Sequence, residues 1–394
     1  MSIPCFADVA QGYAERFPAK HGLSLRLEEL RVAVRSNSAA VVDDLRGYFA
    51  GSVEDDAAAG APTQPAADLD VLLLDAPEQA PPVELRVKPH EPGKRPDKER
   101  FADLPGHSHE PGGGGRVVRK QATGMLFVFG AGGLGVTNTA TNIVQNIAVG
   151  PCAANRNQLV NFLCARYMER RVAQGWMLGH AAGVARPGPG GRALALCGFA
   201  GMGKSTLALH LVARGLNFVS NDRVLVEPAD AGNGPVLHGI PKHPRLNPGT
   251  ALGNPELGAL LSCALPAAAR SAYASLAPEA LRAVEHKYDA QIDACFGPGR
   301  FRLAAPLAGV VVLNWEHGGG PLHARQVRLR QRLDLLEALR KQPGVFFLPW
   351  AMGPRARLTD GQCLEALDGV AVLELSGGSD FEAGACACEE FMGG

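Results

Sequence analysis

Eight consecutive residues, Gly198-Phe-Ala-Gly201-Met202-Gly203-Lys204-Ser205, satisfy the spacing G-x-x-x-x-G-K-[ST] of a loop that wraps the phosphates of a nucleotide. Gly198, Gly201 and Gly203 allow the backbone to curl and turn its N–H groups inward, and the helix that follows points its positive end at the same anion. Lys204 would reach the β- and γ-phosphates and the Ser205 hydroxyl would ligate Mg²⁺, with Met202 and Thr206 completing the nucleotide contacts. The surroundings agree: Ala193 to Cys197 reads as a buried strand, and Leu207, Leu211 and Val212 follow at helical spacing until Gly215. A glycine-rich turn that merely carries Lys and Ser would not need that strand and that helix.

Other residues suit the same chemistry. Asn217-Phe-Val-Ser-Asn221-Asp222 reads as a strand ending in an acid, and Asp222 is the candidate carboxylate for Mg²⁺. His180 lies in a strand expected over Trp176 to Val184; by itself, a histidine among small apolar residues is more often a core residue than a reactive one. Downstream, Gly239-Ile-Pro-Lys242-His-Pro-Arg245 presents two cations on a proline-set loop, and Lys287-Tyr-Asp289 follows a helical segment. Arg245 and Asp289 enter the candidate site on that basis.

With 394 residues the chain has room for a large domain and a smaller one. Lys plus Arg (39) balance Asp plus Glu (39), so no electrostatic footprint points to nucleic acid or an anionic membrane surface. No run reaches the ~18 apolar residues of a membrane helix, and the start is unlike a signal peptide, so a cytoplasmic location is expected. Nine cysteines, scattered through apolar stretches, suit buried thiols better than a disulfide framework. The Cys386-x-Cys388 pair reads as part of a flexible tail.

The elements that must position these residues can be traced along the chain. Alternation over 23–36 predicts strand, and Asn37 or Ser38 would cap a helix to about Phe49. Residues 51–67 read as a loose connection, followed by short strands over 69–74 and 83–87. From Lys88 to Gly115 the composition turns to Pro, Gly, His and charge, which places a boundary there: residues 1–112 as an N-terminal α+β domain with its linker, and 113–394 as the phosphate-loop domain. His90, His107 and His109 could hold a metal only as a cluster that a linker does not fix. Val117 to Val128 predicts two strands around Thr123-Gly124. Gly130 to Gly135 matches G-x-G-x-x-G but is followed by β-branched alternation, without an acid at the ribose distance, so a glycine-rich hairpin is the better reading. A helix is expected within Pro151 to Gln174, a strand over Leu307 to Leu313, and an amphipathic helix over Arg332 to Lys341.

Taken together, His180 on a strand, a hairpin, the loop Gly198 to Ser205, a helix ending in Arg214-Gly215 and then Phe218-Val-Ser-Asn221-Asp222-Arg223 resemble the catalytic domain of HPr kinase/phosphorylase. They are still more similar to the HPr-kinase-related kinase B group, whose likeness extends to Gly150-Pro-Cys, Asn157-Gln-Leu-Val-Asn161-Phe, the Gly239 to Thr250 loop and Lys287-Tyr-Asp289. The resemblance covers roughly residues 120 to 345. It implies an α/β, phosphoenolpyruvate-carboxykinase-like P-loop kinase domain that uses ATP and Mg²⁺, with Ser205 and Asp222 near the metal and His180 beside the transferred group. It departs from true HPr kinases at Asn221, where they carry a first of two acids that handles the acceptor's proton; an amide cannot act as a base. The expected activity is transfer of the γ-phosphoryl of ATP to a hydroxyl of an unidentified protein or small molecule, the rivals being a regulatory ATP-binding module and an NTPase. Assembly into a homo-oligomer is compatible with either.

Overall fold

The structure, a computed structural model, describes residues 3–54, 67–87, 99–106, 114–131, 146–230, 233–249, 267–282, 287–316, 318–353 and 358–393, with Leu257, Leu260, Cys263, Leu265 and Val284 besides. The histidines 90, 107 and 109, the hexapeptide beyond Gly130 with its expected hairpin, most of the 51–67 connection and Glu285-His286 lie outside these residues. The chain is mixed α/β and divides into two units, Met1–Gln174 with Pro343–Ala356, and Gly175–Gln342 with Arg357–Gly394.

The first unit is built on one eight-stranded sheet. Its strands are β1 (His21–Leu27), β2 (Leu30–Ser36), β3 (Leu69–Asp75), β4 (Arg86–Val87), β5 (Glu99–Leu104), β6 (Gly115–Lys120), β7 (Met125–Gly130) and β8 (Asn146–Gly150), in the order β1-β2-β3-β8-β7-β6-β5-β4. The boundary expected at residue 112 is therefore displaced to 174, because β5 and β6 are antiparallel neighbours with Phe101 opposite Val118. The Pro- and charge-rich stretch that suggested a linker contains β5, which lies between β6 and the two-residue edge strand β4 and satisfies its charge locally, as when Glu99 pairs with Lys120. Helix α1 (Phe6–Arg16) lays Phe6, Val9 and Ala10 on Leu126 and Val128 of β7, while Phe127 and Phe129, pointing the other way, meet Phe162 of α3 (Arg156–Ala173). Helix α2 (Ala39–Tyr48) starts after Ser38 as expected.

A late segment also belongs to this unit. Val345, Phe347 and Leu348 are buried, and their backbone is gripped by side chains: Arg116 donates to the carbonyls of Val345 (3.2 Å) and Phe347 (2.9 Å), Arg166 to that of Phe346, and Glu169 accepts from the Leu348 N–H. Arg166 and Glu169, both fully buried, pair with each other.

The second unit has a nine-stranded sheet made of β9 (Met177–Gly179), β10 (Ala181–Ala185), β11 (Ala193–Gly198), β12 (Asn217–Ser220), β13 (Val224–Glu227), β14 (Val236–His238), β17 (Ala304–Glu316), β18 (Leu322–Val327) and β19 (Ala371–Gly378). The two-stranded ribbon β15 (Arg245–Leu246) and β16 (Tyr288–Asp289) stands apart from it. The main path runs β12-β10-β11-β17-β14-β13-β9, and β19 extends it from β17. Strand β11 is central, parallel to β17 and antiparallel to β10, and buried along its whole length. Helix α4 (Lys204–Ala213) covers it with Leu207 and Leu211, fully buried side chains contributing about 1.5–3 kcal/mol each.

Two expectations about the C-terminal part change. The region 332–341 holds only a 3₁₀ turn, Leu333–Leu335, and one helical turn, Leu336–Leu339. The tail around Cys386 is helix, Phe381–Gly393, with Ala385 and Cys388 buried in the same apolar cluster as α4. Cys152, Cys164 and Cys197 are buried thiols, but Cys263 and Cys295 form a disulfide with Cα atoms 5.4 Å apart, a pairing across 32 residues that depends on how the chain folds back.

Candidate functional site

The glycine-rich loop closes between β11 and α4 as its spacing requires. Gly201 (φ +84°) and Gly203 (φ +80°) take left-handed conformations, and α4 begins immediately at Lys204. The first intrahelical bond is Leu207 N–H to the Gly203 carbonyl, 2.9 Å, so the N–H groups of Lys204, Ser205 and Thr206 point out of the helix start without an acceptor in the helix. Lys204 is buried and its ammonium donates to the carbonyls of Gly198 (2.8 Å) and Phe199 (3.1 Å). Burial pushes its pKa down, against the opposing pull of Asp222. A buried ammonium, a row of outward N–H groups and a left-handed turn that a side chain would obstruct fit a polyphosphate.

Asn221 and Asp222 reach this loop because of how two strands break. The strand expected over 176–184 is interrupted at His180: β9 before it pairs with β13 through Gly179 and Val224, and β10 after it pairs with β12 through Gly183 and Ser220. The partner strands β12 and β13 are joined by Asn221, Asp222 and Arg223. The two junctions consequently face each other, with His180 Nε2 lying 3.5 Å from Asp222 Oδ1. His180 is partly exposed, and its backbone N–H is held by the Leu339 carbonyl. Asp222 has φ +67°, a conformation costing an aspartate about 1–3 kcal/mol, and the turn is pinned by Ser220, whose hydroxyl donates to the Arg223 carbonyl and accepts from Ile240 N–H. Packing around the Asp222 carboxyl would raise its pKa, but the His180 hydrogen bond and the charges of Arg223 and Lys341 outweigh that and hold it well below the usual carboxylate range.

Ser205 Oγ donates to Asn221 Oδ1 at 2.6 Å. With its proton committed to the amide, the hydroxyl's lone pairs remain available to a cation, as a Mg²⁺ ligand needs. Ser205 and Asp222 carry the oxygen donors that would hold the ion, whose charge would neutralise developing phosphate charge.

Arg245 and Asp289 are brought together, directly opposite each other in the β15–β16 ribbon, 3.5 Å between Nε and Oδ1, with Arg245 also donating to the Lys287 carbonyl. Leu246 and Ala290 tie the ribbon to the apolar cluster beneath α4. Among the described residues, Arg245 bonds to Asp289 and to the adjacent Lys287 carbonyl, and not to His180, Lys204, Ser205, Asn221 or Asp222.

Spacing did not reveal the residues that brace the loop. Trp315, near the end of β17, donates from Nε1 to the Met202 carbonyl at 2.9 Å. Phe381 stands against Trp315 (centroids 5.4 Å) and His210 (5.6 Å), and a Cβ on Gly203 would lie 2.6 Å from its ring. No signal marks either, since their contacts to Met202 and Gly203 of the loop span more than a hundred residues.

No protein-family profile and no curated protein matches this chain. Among solved structures, the Hpr(Ser) kinase/phosphatase from Coxiella burnetii aligns with 54% of this chain and 95% of its own, at 10% identity and a TM-score of 0.26, too low a likeness to assign fold or activity.

Proposed function

We propose that the second unit binds Mg-ATP and transfers its γ-phosphoryl to a hydroxyl, in the manner of an HPr-kinase-like, phosphoenolpyruvate-carboxykinase-like enzyme and nearest to the kinase B group. The observation that carries this reading is the convergence of Lys204, Ser205, Asn221, Asp222 and His180 at one end of β11. The loop's N–H groups and Lys204 would hold the polyphosphate, and Ser205 and Asp222 the Mg²⁺, which supplies charge neutralisation. In the transfer, the bond from the γ-phosphorus to the bridging oxygen breaks with its electron pair leaving on ADP. A new P–O bond forms to the acceptor oxygen, whose proton passes to the transferred phosphoryl. His180, in contact with Asp222, would face the transferred group, and Arg245 with Asp289 would serve the acceptor side. A cytoplasmic setting suits ATP as donor, and no described helix is long and apolar enough to cross a membrane.

One observation favours a second reading, an ATP-binding module with little transfer: Asn221 is engaged with Ser205 and offers no base. Titration calorimetry with Mg-ATP tests the part common to both. Lys204→Ala removes a charge-assisted contact of ~1.5–3 kcal/mol, so affinity should fall roughly ten- to a hundredfold. Equal binding by wild type and variant, or binding by neither, would sink the proposal. Incubation with γ-labelled ATP and a lysate of the source organism then separates the readings by whether a labelled acceptor appears.

A further inference from the structure

Gly179, at the end of β9, is flanked on both sides. Val224 of β13 pairs with it on one, and Arg340 forms an isolated antiparallel bridge with it on the other. The approach is close: a Cβ at Gly179 would lie 3.0 Å from Val224 Cγ2 and 3.2 Å from Leu339 Cδ1, and the next residue, His180, donates its N–H to the Leu339 carbonyl. The segment 339–341 thus runs beside the two junctions that bring His180 and Asp222 together. Arg340 is extended (φ −65°, ψ 133°), and its guanidinium is taken by Glu337 and Asp360. In an extended segment the next side chain projects to the opposite face, so Lys341 is directed away from that acidic pair. Its charge is felt by both Asp222 and Lys204. Lys341 thus joins Lys204 and Arg223 among the cations around Asp222, the kind of cluster that takes a phosphate.

Resting on the nucleotide reading above, we infer that Lys341 is a further phosphate-binding residue, a second ammonium for the terminal phosphate of a nucleoside triphosphate, delivered by the chain segment that also holds His180. It is carried by a part of the chain more than a hundred residues from the loop, and no motif marks it.

Calorimetric titration of Mg-ATP and Mg-ADP into wild type, Lys341→Gln and Lys341→Arg tests this on the full chain. Lys341→Gln should weaken Mg-ATP roughly tenfold or more and Mg-ADP by clearly less, and Lys341→Arg should retain most of the affinity because it keeps the charge. Lys341→Met, of similar length, gives the same readout should the amide unsettle the segment. Equal Mg-ATP affinity in wild type and the uncharged variants overturns the inference while the nucleotide reading stands. Equal losses for ATP and ADP overturn the terminal-phosphate assignment. Failure of wild type to bind Mg-ATP removes the underlying reading itself.

Discussion

Asn221 is where the site can be questioned most directly, because one atom of its side chain does a definable task. Its Oδ1 accepts the Ser205 hydroxyl at 2.6 Å, and Asn221→Ala deletes that acceptor while leaving Ser205 in place. The lost bond is neutral and partly exposed, contributing about 0.5–1.5 kcal/mol, so Mg-ATP affinity should drop roughly two- to tenfold through a less well-aimed metal ligand. Asn221→Asp retains an oxygen for Ser205 and adds a carboxylate next to Asp222. Wild type, with an amide there, should hydrolyse ATP slowly. The aspartate variant should hydrolyse it about tenfold faster or more, the low part of the ~10²–10⁴ range of general-base assistance being reduced by repulsion from Asp222. Calorimetry measures the first effect and continuous phosphate release the second. Unchanged Mg-ATP affinity in Asn221→Ala would refute the metal-aiming role. An unchanged or lower hydrolysis rate in a folded, ATP-binding Asn221→Asp would show that this position is not that of the base.

Three further outcomes follow from the geometry. Gly203→Ala places a Cβ at φ +80° and 2.6 Å from the Phe381 ring, which should lower stability by ~2–4 kcal/mol in denaturant unfolding; Phe381→Leu in the same chain should recover part of it, and a loss below ~0.5 kcal/mol would contradict the contact. His180→Ala should leave the melting temperature nearly unchanged yet reduce phosphotransfer, whereas a drop of several degrees with activity retained per folded molecule would make the histidine a structural residue. Because the Asp222 pKa is depressed in the folded state, its contribution to stability is present above the unfolded carboxylate value near ~3.9 and is lost as pH falls below it through the folded value. Asp222→Asn should therefore show a shallower fall of melting temperature between pH 5 and pH 3 than wild type, and parallel curves would mean that the pairing with His180 does not affect folding.

How much of this was legible in the residues depended on range. The loop and its helix are local, so Gly198 to Ser205 declared them, and the strands over 23–36 and 117–128 were readable from alternation and turn residues. That His180 interrupts its strand was not, because the break is caused by β9 and β10 choosing different partners, β13 and β12. The expected boundary at 112 falls inside a sheet, because β5, paired on both sides by β4 and β6, carries charge that resembles a linker. Leu333, Leu335, Leu336 and Leu339 suggested one helix, yet the Arg340 bridge to Gly179 draws the chain into extended form and leaves a single helical turn. The C-terminal helix was hidden by small residues: Gly384 lets it approach Trp315, where a Cβ would lie 3.0 Å from the indole.

The excursion of Pro343–Ala356 has a consequence for dissection of the protein. Three covalent crossings join the two units, at 174–175, 342–343 and 356–357. A polypeptide beginning at Gly175 would carry Val345, Phe347 and Leu348, buried to 6% exposure or less in the whole protein, into solvent within a dozen residues of Lys341, so a clean truncation at 174 should yield an aggregation-prone product. Neither unit is one continuous block of chain, so neither can be excised or grafted by a single pair of cuts without carrying part of the other.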